Sequence, residues 1–145
     1  MPALTTEIHT RVARLLGGTP ELRSIPVLVR QPKETLSDIY AAVAQLKLGC
    51  FVFPPLITQV RPNSKSLFAE EIEVRVSCFE NPLLNDTTLS VQDLVRIALA
   101  TLHHADLQLE AAGVLYARER PVEEQQDDTL IVYDIVFLTC GAPTG

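Results

Sequence analysis

Between Glu71 and Cys78 the chain alternates strictly. Ile72, Val74, Val76 and Cys78 are apolar, and Glu71, Glu73, Arg75 and Ser77 are polar. A period of two predicts a strand with one face on a core and the other in solvent. Elsewhere the period lengthens to that of a helix. In TTEIHTRVARLLGG, Ile8, Val12, Leu15 and Leu16 recur at helical spacing, with Thr5 or Thr6 as cap, Glu7 in the first turn and Gly17-Gly18 as the stop. In SVQDLVRIALATLHH, Ser90 and Asp93 form a capping box, and Val91, Leu94, Val95, Ala98, Leu99 and Leu102 make a wide apolar stripe. A third, shorter helix is predicted over Thr35–Lys47, with Thr35 and Asp38 at its start, Leu36, Ile39, Val43 and Leu46 as its stripe, and Gly49 ending it.

The remaining apolar segments read as strands. SIPVLVRQP is short, and Pro26 near its start suggests an edge position or a late strand start. CFVFPPLITQVRP is extended but must break at Pro54-Pro55. LIVYDIVFLTC is apolar on both faces, as a central strand is. Leu107 to Arg118 is expected as its hairpin partner, with a bulge at Gly113, and the acidic PVEEQQDDT between them as an exposed loop. RPNSKS reads as a turn and GAPTG as a frayed tail. The expectation is one α+β domain spanning residues 1–145: an antiparallel sheet of about four to five strands with helices packed on one face. The predicted core is Ile8, Val12, Leu15, Ile72, Val74, Val76, Leu94, Val95, Ala98, Ile135 and Phe137.

Charge narrows the function. The 145 residues carry a net charge of −6 at pH 7, and no run of Lys or Arg supplies the basic stripe that nucleic-acid binding draws on. No apolar run approaches the ~20 residues that cross a bilayer, and the N-terminus lacks a signal-type apolar region. Cys50, Cys78 and Cys140 all lie in apolar, strand-like surroundings and read as buried, reduced thiols. Without a CxxC pair they do not suggest zinc.

Catalytic patterns are missing. GxSxG, Walker A, GxGxxG and HExxH do not occur. Adjacent helical residues diverge by about 100°, so His103 and His104 read as surface residues at a helix end, not as a metal pair. Glu123, Glu124, Asp127 and Asp128 lack the glycine and spacing of a calcium loop. The expectation is a protein without catalytic, cofactor-binding or metal-binding residues.

One stretch stands out. FENPLLND, residues 79–86, joins the alternating strand to the main helix. Pro82 holds Asn81 extended and fixes the chain's exit. Glu80 and Asp86 bracket the stretch without a His or Lys nearby in sequence, so they read as turn chemistry. A loop that only turns could be polar throughout, so Leu83 and Leu84 suggest a partner; the alternative is that either leucine tucks back under the helix as a hydrophobic staple. The candidate assembly interface is Glu80, Asn81, Pro82, Leu83, Leu84 and Asn85, together with Glu73 and Arg75 on the strand's polar face.

The order of elements, with VRVSCFENPLLN (Val74 to Asn85) and SVQDLVRIALATLHH (Ser90 to His104), resembles the tail terminator (tail completion) proteins of long-tailed phages, in particular the Mu-like contractile-tailed type. The flanking helix TEIHTRVARLL and the strand LIVYDIVFLTC fit the same layout, while the Thr35–Lys47 segment departs from it. The resemblance implies a non-enzymatic virion protein of the tail's neck region, assembled in the host cytoplasm. It implies a homo-hexameric ring that caps the tail tube, ends its polymerisation and meets the head connector and sheath proteins. DNA would pass through such a ring without specific binding, and an acidic lining would repel the duplex. Two alternatives remain open: a small oligomeric α+β enzyme or ligand-binding protein with its site at a subunit boundary, and another neck component such as a head-closure protein.

Overall fold

The computed structural model describes residues 4–22, 25–29, 46–62, 68–109, 114–117, 122–127 and 130–141. In chain order the elements are α1 (Leu4–Gly17), a 3-10 turn (Pro20–Leu22), β1 (Val27–Val29), β2 (Leu48–Val52), β3 (Leu56–Pro62) and β4 (Phe68–Glu80). They continue with α2 (Val91–Leu102), β5 (Tyr116–Ala117), β6 (Val122–Asp127) and β7 (Leu130–Gly141). The fold is α+β.

The two longest strands form the spine of the sheet. β4 pairs antiparallel with β7 from Glu70↔Gly141 to Glu80↔Ile131. β2 and β3 line the other edge of β4 in succession, β2 against Val76–Glu80 and β3 against Phe68–Glu73. They read as one strand interrupted at Phe53-Pro54-Pro55, where proline withholds its ladder N–H. β5 and β6 likewise share the far edge of β7. β1 closes the sheet at the outer edge of β2, where Pro26 implied an edge, and this pair runs parallel.

Alternation sets the core. Ile72, Val74, Val76 and Cys78 are all fully buried, and Val74 and Val76 stand opposite Phe137 and Ile135. Both helices lie on this face. α1 contributes Ile8, Val12 and Leu16, and α2 contributes Val91, Leu94, Ala98 and Leu102. Val95 is partly buried against the same cluster. The opposite face is not simply solvated. Phe51, Phe79, Leu130 and Val132 form a second buried cluster, with Leu46 and Phe53 packed on it. Ser77, expected in solvent on this face, is buried and donates a hydrogen bond to Asp134, its register partner on β7.

Several expectations are corrected. Leu15 is exposed; the buried stripe of α1 runs 8, 12, 16, and Leu15, about 100° round from Leu16, falls at the margin of that stripe on the side open to solvent. α1 already includes Thr5 and Thr6, so neither is its cap. Gly49 ends no helix: it lies within β2, where a Cβ would come within 2.6 Å of the Phe79 ring and 2.9 Å of the Pro26 carbonyl oxygen. The acidic segment read as a loop is strand β6, because Val122–Asp127 pairs with β7. Among the described residues of Leu107–Arg118, 107–109 and 115 are not strand: Asp106 and Val114 form an isolated bridge, and Tyr116–Ala117 joins the sheet. Cys140 is exposed. The helix predicted over Thr35–Lys47 falls mostly on residues 30–45, outside the described residues, and its described end, Leu46–Lys47, is a bend. The turn at 63–67, Gly113 and the tail at 142–145 also lie outside them.

Candidate assembly interface

The FENPLLND loop is built by side chains folding back on the backbone. Asn81 is buried and its N–H donates to the Lys47 carbonyl at 2.9 Å, tying the end of β4 to the start of β2. Its Oδ1 accepts the Leu83 N–H at 3.1 Å, a local turn that asparagine favours. The Asn81 carbonyl accepts the N–H groups of Leu84 and Asn85 at 3.0 and 2.9 Å.

Asn85 is the hub of the second half. Its amide donates to Glu80 Oε2 at 2.7 Å and to the Leu89 carbonyl at 2.8 Å. Its Oδ1 accepts the Thr87 N–H at 3.0 Å and the Thr87 hydroxyl at 2.6 Å. The other Glu80 oxygen accepts the Val91 N–H at 3.1 Å, so a carboxylate sits at the positive end of α2. Even-numbered β4 residues face the helices, and that parity is what puts Glu80 there.

The capping box then closes the helix start. Ser90 N–H donates to Asp93 Oδ2 at 2.8 Å, and Ser90 Oγ accepts the Asp93 N–H at 3.4 Å. The hydrogen bonds from Ser90, backbone first and side chain second, lower the Asp93 carboxyl below its ordinary pKa. Asp86 is lowered too, through its 2.8 Å hydrogen bond with Lys47 and the attraction of that charge. Both partners are exposed, and such a pair adds little stability.

What the loop presents outward is apolar. Leu83 is 78% and Leu84 44% exposed. Neither is tucked beneath α2. The position just before the cap belongs to Leu89, which packs on the core cluster that contains Leu94, as in a hydrophobic staple. The loop holds the two leucines in solvent on a hydrogen-bonded frame.

The structure gathers only part of the sequence-predicted set. Glu80, Asn81, Pro82, Leu83, Leu84 and Asn85 form one continuous feature. Glu73 and Arg75 lie on the opposite face of the sheet, five to seven residues back along β4, or roughly 15–25 Å. Arg75 stands over the Phe53 ring, 5.8 Å from its centroid, away from the loop.

Two features went unread in the sequence. The imidazoles of His103 and His104 stack at 3.9 Å, with Tyr116 edge-on to both. Helical divergence does not apply to them, because the helix ends at His103 and His104 takes φ 67. His103 Nδ1 accepts the Ala117 N–H at 2.9 Å, which places a neutral ring's proton on Nε2. The other feature is an open cavity of about 130 Å3 lined by Arg11, Arg14, Leu15, Asp106, Leu107 and Gln108. Its one sequence signal is the i, i+3, i+4 spacing of Arg11, Arg14 and Leu15. Among the described residues no group of three or more His, Cys, Asp or Glu is placed to hold a metal ion, and no helix is long and apolar enough to cross a membrane.

No protein-family model and no curated protein matches the chain. Among solved structures, it is similar to a chain from the virion of a native gene transfer agent (GTA) particle, with a TM-score of 0.72. The match covers 99% of this chain and 100% of that one, at 12% sequence identity. The likeness is one of fold: the whole arrangement of helices and sheet is shared where the sequences are not.

Proposed function

We propose that this chain is a structural, non-enzymatic component of a phage or phage-like particle, and that it acts as the tail terminator. In this role it forms a ring on the end of the tail tube, stops the tube's growth and presents a surface to the head connector. The observation that carries the reading is the end-to-end likeness of its fold to a chain of a gene transfer agent virion. The FENPLLND loop supports it, because a rigid frame displaying two leucines is what a docking element requires. The net charge of −6 suits a ring through which DNA passes without being held.

The test is electron microscopy of particles produced without this gene. Tails of uncontrolled length are the expected outcome. Tails of normal length that fail to join heads would move the protein to head closure. Complete, infective particles would defeat the structural reading altogether.

A further inference from the structure

The cavity and the leucine loop lie at opposite ends of α2. Leu83 and Leu84 come just before its N-terminus, and Asp106, Leu107 and Gln108 come just after its C-terminus. Twelve helical residues separate them, about 18 Å along the axis. The C-terminal ends of α1 and α2 are adjacent, with Thr19 Oγ1 and Thr101 Oγ1 3.4 Å apart, so Arg11, Arg14 and Leu15 complete the cavity.

We infer that Leu83 of one copy seats in this cavity on the next copy, with Leu84 against its rim, so that the chain associates head to tail. Three observations favour a second copy as the occupant. The first is size. About 130 Å3 is too small for an ordinary ligand pocket of ~300–1,000 Å3, but a cavity of about 150 Å3 accepts a benzene-sized apolar group, comparable with one leucine side chain. Buried Leu107 and exposed Leu15 supply the apolar lining. The second is charge. Arg11 and Arg14 against Asp106 give the cavity a positive balance, in a chain with 18 acidic and 12 basic residues. The loop carries Glu80 and Asp86 against Lys47, a negative balance. Neither arginine has an ion-pair partner among the described residues.

The third is geometry. A contact between two different patches on one chain is heterologous, and it closes into a ring when its rotation allows. A self-complementary patch would stop at a dimer. Gln108, at φ 57, helps shape the receiving end: this left-handed turn, with the Gln108 N–H donating to Asp106 Oδ1 at 2.8 Å, leaves Leu107 buried between two exposed polar residues.

This inference rests on the terminator reading, and the experiment separates the two. Particles are produced with Leu15→Cys and Leu83→Cys in a Cys140→Ser background, so that the exposed native thiol is removed while Cys50 and Cys78 stay buried. A short bismaleimide should then link copies into a ladder that ends at the closed ring, and either cysteine alone should leave the chain monomeric on a denaturing gel. A control carries Leu56→Cys with Leu83→Cys, since Leu56 is another exposed leucine. A ladder in the control but not in the test pair overturns the inference. So do particles that contain the protein and have normal tails yet give no ladder, and that result leaves the terminator reading standing. Absence of the unsubstituted protein from particles overturns both.

Discussion

Cys50 and Cys78 face each other directly across β2 and β4, with their sulfurs 3.8 Å apart and both side chains fully buried. The Cys50 N–H donates to the carbonyl of Pro26, just before β1, and not to β4, so the two cysteines form a non-hydrogen-bonded pair, where side chains approach most closely. The hydrogen bond with Cys50, burial and the nearby negative charges together raise the Cys78 thiol well above its ordinary range.

Only Cys140 should therefore react quickly with a maleimide in the native protein, and all three thiols should react in urea. Because folding raises the Cys78 pKa, the folded state holds its proton where the unfolded chain ionises. The Cys78 contribution to stability should be constant below the ordinary thiol pKa of about 8.5 and fall as pH rises above it. Urea midpoints at pH 7 and pH 10 check this, and Cys78→Ala should reduce the alkaline loss while costing ~1–3 kcal/mol for the cavity. Tail assembly should survive the substitution.

Gly49→Ala should destabilise by about 1–3 kcal/mol. The added methyl meets the Phe79 ring on one side and the Pro26 carbonyl on the other, and the latter is backbone that cannot move alone. Pairing it with Phe79→Leu should recover part of the loss in thermal melts, which a purely conformational effect of glycine would not show.

Ser90→Ala removes the cap from the Asp93 N–H and should cost about 0.5–2 kcal/mol. Asp93 has a lowered pKa in the fold, so its contribution is present above the ordinary carboxylate range and is lost as pH falls through the folded value. The difference in melting temperature between wild type and Asp93→Asn should shrink as pH is lowered from 6 towards 3.

Leu83→Asp with Leu84→Asp should leave the stability of the isolated chain, read from its melt, within about 0.5 kcal/mol of wild type, because both residues are exposed. The same variant should lose tail-length control in producing cells. A lowered melt would place the leucines in the fold; an unchanged melt with normal tails would remove them from assembly.

The sequence exposed what is local and periodic. The alternation at Ile72–Cys78, the Ser90–Asp93 box and the break at Pro54-Pro55 are each decided within a few residues, and each is found where the pattern put it. Pairing across the chain was not legible in this way. Val122–Asp127 is strongly polar, and it is a strand only because β7 offers an edge. The environment of Gly49 depends on Phe79, thirty positions away, and Lys47 reaches Asp86 only because β2 lies beside β4. Leu15 and Leu16 are chemically alike, so the apolar pattern admitted both, while the rotation of α1 on the sheet chose one. Asn85 stood in the candidate set as a loop residue, but its grip on Glu80, Thr87 and Leu89 is a matter of three-dimensional closure.

The long β4–β7 ladder has a mechanical consequence. β4 is 13 residues long, about 40 Å, and its bonds to β7 run perpendicular to the strands over the whole length from Glu70 to Glu80. A load applied along this axis, with one strand pulled against the other, strains those bonds in parallel; a load that peels one end open breaks them in succession. The FENPLLND loop leaves β4 at one end of the ladder, and β7 ends at Gly141, opposite Glu70, at the other. Tension between partners attached at those two ends would therefore act in shear, the direction in which an antiparallel pair yields last.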